Sequence, residues 1–151
     1  MVRLLSVLSV VVAVCAPVAW GQGDAKEAVA KEWKALEGTW EIVSIELQGK
    51  KAGLPEERKE RLTFRDGTFA STQGQEVRDK GTLKLDPTKQ PKTMDMMSGG
   101  EGNKGKKALA IYELKGHDLR VCISPPGQPR PTAFTTEAGS ANYITTLRRV
   151  K

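Results

Sequence analysis

The sequence predicts an all-β domain, an eight-stranded antiparallel up-and-down barrel preceded by one short helix, and three observations carry that expectation. Past one amphipathic segment that stops at Gly38, apolar residues recur with the period of strands rather than of helices. Two tight-turn dipeptides, Asp66-Gly67 and Lys115-Gly116, divide alternating runs into hairpins. Gly38-Thr39-Trp40 opens the first strand and Arg149 stands near the end of the last, a pair suited to closing one end of a barrel.

The first residues read as a targeting segment. Arg3 followed by apolar Leu4 to Ala16 has the charged start and the core of roughly 7 to 15 residues of a secretory signal, shorter than the about 20 apolar residues needed to span a bilayer. Ala19 and Gly21, two apart, suit a signal peptidase, so residues 1–21 are expected to be cleaved after Gly21, leaving residues 22–151 as one exported domain, periplasmic or extracellular. Two other fates remain open: an uncleaved anchor, or lipidation of Cys15, although Val14 before it is bulkier than a lipobox residue.

The mature segment has the length of one domain and leaves no room for a second. The full chain's formal net charge of +6, one less once Arg3 is removed, is spread along the sequence with Glu and Asp interspersed. A nucleic-acid protein would gather that charge into a stripe beside stacking aromatics, and no such stripe is present, so nucleic acid is not an expected partner. Cys122 is the single cysteine after cleavage, which leaves stability to the core rather than to an intramolecular disulfide.

From Asp24 to Leu36 the chain reads as a helix, with Asp24 as N-cap, Glu27 as its capping-box partner, and Val29, Trp33 and Leu36 on one face that must dock on the domain. Thr39 to Leu47 is rich in β-branched residues, and the phase change between Trp40/Ile42 and Val43/Ile45/Leu47 predicts a bulge or strong bend. Gln48 to Lys59 reads as a loop with one helical turn. Asp66-Gly67, both positions suited to positive φ, joins Arg61 to Arg65 with Thr68 to Thr72, sets Phe64 opposite Phe69 in the core and turns Thr63 and Ala70 away.

Glu76 to Leu85 is stopped by Asp86-Pro87, and Lys92 to Met97 places Met94 and Met96 on one face. Lys115-Gly116 joins Lys107 to Leu114 with His117 to Ser124, setting Tyr112 opposite Leu119 and Ala110 opposite Val121. Ala108, Ala110, Tyr112, Leu114, Leu119, Val121 and Ile123 then share the inner face. Leu109, Ile111, Glu113, Asp118, Arg120 and Cys122 are expected outside, partly under the helix. The last strand, Tyr143 to Val150, alternates Tyr143, Thr145, Leu147 and Arg149. Strands that follow one another without crossover helices favour the up-and-down barrel.

Leu36-Glu37-Gly38-Thr39-Trp40, Leu85-Asp86-Pro87-Thr88 with Pro91-Lys92, Ile111-Tyr112-Glu113-Leu114, Pro125-Pro126-Gly127 with Arg130-Pro131, and Leu147-Arg148-Arg149 together resemble an uncharacterised exported domain abundant in planctomycete bacteria. The resemblance covers nearly all of the mature chain. That family is itself similar to lipocalins, so the resemblance implies a calycin-like barrel in which Gly38 and Trp40 pair with Arg149. Arg149 shares the parity of Leu147 and Arg148 does not. The disulfide that many lipocalins carry has no counterpart here. A tryptophan plugging a barrel end buries about 150 to 250 Å², worth a gross upper bound of roughly 4 to 6 kcal/mol, and a stacked arginine adds about 0.5 to 2 kcal/mol.

Motifs that suggest chemistry do not hold together. Gly100 to Gly105 fits G-x-G-x-x-G but precedes a strand-like run, with no βαβ unit around it. His117 and Cys122 are an odd number of residues apart, hence on opposite strand faces, and cannot form a nucleophile and base. One His, one Cys and scattered carboxylates make no recognisable metal set, and no cofactor or catalytic residue is expected. Pro126 to Pro129 has polyproline spacing but reads as a stiff loop.

The remaining functional signal is the interior. Phe69, Met94, Met96, Tyr112 and Tyr143 fall on inward faces and are the expected lining for a small apolar or amphipathic ligand, with residues 99–106 and 125–139 as rim loops. The alternatives are a barrel filled by its own side chains that binds a protein or envelope partner through its loops, and an enzyme using barrel carboxylates or tyrosines.

Overall fold

The computed structural model describes residues 22–151; the expected signal peptide and Cys15 lie outside the described residues. Helix α1 (Gln22–Leu36) precedes strands β1 (Gly38–Leu47), β2 (Lys50–Gly53), β3 (Glu60–Arg65), β4 (Thr68–Gln73) and β5 (Glu76–Asp86). Then come β6 (Lys92–Ser98), β7 (Lys107–Lys115), β8 (Asp118–Ser124) and β9 (Tyr143–Arg149). Each strand from β3 to β8 pairs antiparallel with the next, and β1 pairs with both β3 and β9, which closes an eight-stranded up-and-down barrel. Because α1 begins at Gln22, Asp24 stands within the first turn rather than at the N-cap, where its charge still favours the helix dipole.

The ninth strand, β2, corrects the expectation of a plain loop over Gln48 to Lys59. Gln48 and Gly49, both at positive φ, turn the chain back so that Leu47 faces Lys50 and Ser44 faces Gly53. β3 pairs only with the first half of β1, Gly38 to Glu41, so β2 occupies the edge that β3 leaves free. The two are one strand line interrupted by residues 54–59, which include a 3-10 turn, Glu56–Arg58.

The first hairpin has the register that the turn chemistry predicts: Phe64 faces Phe69 and Thr63 faces Ala70, with Asp66 at φ 45° and Gly67 at φ 75°. The second is corrected by two residues. Tyr112 faces Val121 and Ala110 faces Ile123, since Gly116-His117 rather than Lys115-Gly116 forms the two-residue link between Lys115 and Asp118. A slip of two preserves side-chain parity, so the inner-face assignment survives. In β1 the register against β9 shifts between Ile42 and Ser44, the predicted bulge, and this lets both Ile42 and Ile45 face inward despite their odd separation.

The main core fills the closed half of the barrel with Trp40, Phe64, Leu83, Leu85, Met94, Tyr112, Leu119 and Leu147, and Leu36 of α1 is fully buried with them. The helix therefore caps the end of the barrel. A second cluster, Ile111, Cys122 and Ile144, lies on the outer face and is covered by Phe134 of the β8–β9 segment, not by the helix as the sequence suggested. That segment, residues 125–142, is a strap. Arg130 bonds Asp95 of β6 and donates to the backbone oxygens of Met94 and Ala110, and Thr136 donates to Glu46 of β1 at 2.6 Å.

Candidate functional site

The barrel has two unlike ends. At the closed end Gly38, Trp40 and Arg149 form one joint. Trp40 is fully buried and donates its Nε1–H to the carbonyl of Leu36 at 2.8 Å. Arg149, directly opposite it in the β1–β9 register, holds its guanidinium 4.2 Å from the ring centroid. Nη1 of Arg149 donates to the Glu37 carbonyl at 2.6 Å and Nη2 to the Ala35 carbonyl. Carbonyls in the last turn of a helix lack intrahelical partners, so these two side chains satisfy three consecutive oxygens and bolt α1 to the first and last strands. Gly38 sits at φ 121°, and a Cβ there would lie 2.8 Å from Arg149 Nη1; glycine leaves the guanidinium its place.

Tyr112 belongs to this end rather than to the ligand lining. It is buried at 1 % exposure, beneath the Glu32–Lys92 ion pair (2.8 Å) that ties α1 to β6, with Lys92 Nζ 6.0 Å from its ring. Its hydroxyl lies near Glu32 without the geometry of a hydrogen bond. Burial first, and the Glu32 carboxylate second, push the phenol far above its ordinary range.

Toward the other end the interior is open. A cavity of about 440 Å³ reaches down between the strands to a floor that includes Phe64, Phe69, Met94, Val121 and Leu147. The barrel is therefore not filled by its own side chains. Phe69, Met94, Met96 and Tyr143 line this space together, four of the five lining residues expected from the sequence. Tyr143 is half-buried, and burial, then the nearby Glu60 carboxylate, raise its phenol pKa, which keeps it a neutral donor.

Sequence reasoning missed Glu60, Asp79 and Ser98 of the polar ring above this floor. Glu60, Ser71, Asp79 and Ser98 line the upper cavity. The Ser71 hydroxyl donates to Glu60, and Ser98 Oγ donates to Asp79 at 2.6 Å. Extending the inward parity Phe64, Leu62 by one more step reaches Glu60, and that was the available signal. A register shift between Ser71 and Thr72 carries Asp79 and Arg78 to the lip.

A second groove, about 550 Å³, lies outside the barrel between β5, β6 and the strap, with Lys84, Asp86, Lys89, Asp95 and Arg130 among its walls. Two of its ionic groups, Asp95 and Arg130, bond each other, and the Asp86 carboxylate accepts from the Thr88 N–H and hydroxyl. Asp95 bonds Lys107 at 2.7 Å as well as Arg130; burial raises its pKa, and the two cations outweigh burial to hold the carboxyl below its usual range. Cys122 is fully buried, with its thiol pKa raised by burial, conditions that suppress the thiolate. Among the described residues no cluster of His, Cys, Asp and Glu has the make-up of a metal site. Comparison of the chain with protein-family models, curated proteins and solved structures finds no match.

Proposed function

We propose that this protein is an exported lipocalin-like barrel that takes a small apolar or amphipathic molecule into its open half. The observation that carries the reading is the cavity of about 440 Å³ with an apolar floor and a polar mouth, a volume and lining typical of small-molecule sites. The closed end, where Trp40 and Arg149 hold the C-terminus of α1, supports it. Among the described residues, a barrel sealed by Trp40, Arg149 and α1 leaves one entrance, ringed by residues 48–59, 74–75, 99–106 and 125–142. The signal-like segment from Arg3 to Gly21 and the likeness to the planctomycete exported domain supply the export half of the reading.

The test is native mass spectrometry of the purified protein together with titration of an apolar fluorescent probe. One ligand mass or one saturable probe site is expected, and Ala108→Phe, which fills the cavity wall, should abolish it while the melting transition persists. Equal probe binding by the parent and the Ala108→Phe variant would place the site elsewhere and overturn the reading.

A further inference from the structure

The cavity's polar groups divide by sign, and the division selects a ligand. Glu60 and Asp79 are half-buried on the cavity wall, and among the described residues neither has a cationic partner. Each is held by a neutral hydroxyl, Ser71 on Glu60 and Ser98 on Asp79, and Lys80 N–H also donates to Asp79 at 2.8 Å. The cations of the same lip, Arg78 and Lys106, are exposed and already engaged. Arg78 donates to Gln73 and pairs with Glu76 at 3.2 Å, and Lys106 donates to Asn103 at 3.1 Å.

A partly desolvated carboxylate without a counter-charge carries a cost that a bound cation removes, whereas an anion would meet two such carboxylates and find the lip's arginine and lysine already engaged. Ser71 faces Asp79 across β4 and β5, so the Glu60–Ser71 pair and Asp79 form one arc above Met96 and Phe69. Resting on the binding reading above, we propose that the ligand is a cationic amphiphile, a protonated amine on an apolar chain, with its ammonium at Glu60 and Asp79 and its chain on the floor of Phe69, Met94 and Leu147. The molecule's net charge of +6 works against a cation, so any preference for one must arise locally.

The experiment compares three probes of equal chain length below their aggregation thresholds, dodecylammonium, 1-dodecanol and dodecanoate, by calorimetric titration at neutral pH. Dodecylammonium should bind about tenfold or more tightly than the other two, as expected for charge-assisted hydrogen bonds in a partly desolvated site. In the isosteric double variant Glu60→Gln, Asp79→Asn that advantage should vanish while dodecanol binding persists, which also reports that the barrel is folded. Equal or tighter binding of dodecanoate overturns the amine assignment and leaves the cavity reading standing. An ammonium preference that survives in the double variant overturns it too, because the headgroup then sits elsewhere. Absence of binding by all three defeats both readings.

Discussion

The guanidinium of Arg149 lies 4.2 Å over the ring of Trp40, and the two residues face each other across the β1–β9 pair that closes the barrel. This contact joins the start of the domain to its end. It also gives the helix C-terminus its hydrogen-bond partners, through Trp40 to Leu36 and Arg149 to Ala35 and Glu37.

Arg149→Ala should lower stability by about 1 to 2 kcal/mol, read from thermal or denaturant unfolding. Arg149→Lys should recover little, since an ammonium lacks the planar fork that stacks and bonds two carbonyls at once. Arg148→Ala, which loses only an exposed 3.0 Å pair with Asp118, should be near neutral. Gly38→Ala carries both a backbone penalty of about 1 to 3 kcal/mol and a clash with Arg149. Its cost should therefore fall in the Arg149→Ala background, and strict additivity in the double-mutant cycle would refute the steric part.

The strap over the outer face governs the only described cysteine. Phe134 covers Cys122, Ile111 and Ile144, and its ring stacks 5.1 Å from the guanidinium of Arg120. In the native protein Cys122 should react with a thiol reagent only as fast as the strap opens. Phe134→Ala should speed labelling by at least about tenfold, at a stability cost of roughly 1 to 3 kcal/mol. Unchanged labelling kinetics would mean that Phe134 does not control access.

Asp95 makes one part of the acid response predictable. Its folded-state pKa is held below the unfolded value of about 3.9, so its contribution to stability is present above that value and is lost as pH falls through the folded-state value. Unfolding measured from neutral pH down to about pH 2 should show the parent losing stability over that window. Asp95→Asn should be less stable at neutral pH by about 1 kcal/mol, with a smaller loss in acid. Parallel pH profiles for the two proteins would assign the acid response to other carboxylates.

Local chemistry made much of this molecule legible. Asp66-Gly67 specifies a turn that positive φ alone can make, and the turn then dictates that Phe64 meets Phe69. Strand parity distinguished Arg149 from Arg148 and put Met94 and Met96 inside. β2 escaped because Gln48-Gly49 is a weak turn signal and Lys50 to Gly53, exposed throughout, has no apolar alternation. The outer cluster around Cys122 escaped because Phe134 and Ile111 are brought together only by a segment crossing the sheet.

The sequence by itself determined the eight barrel strands, their order and which apolar side chains turn inward, because turn geometry and two-residue alternation act over a few neighbouring residues. It also marked Phe69, Met94, Met96, Tyr112 and Tyr143 as inward without saying at what depth. Depth was decided by the tertiary structure. Closure of β1 on β9 and the docking of α1 put Tyr112 beneath a sealed end and left the other four around an open cavity. The same closure gathered Glu60, Ser71, Asp79 and Ser98, drawn from four strands, into one polar mouth, an arrangement that depends on curvature and register across the whole sheet.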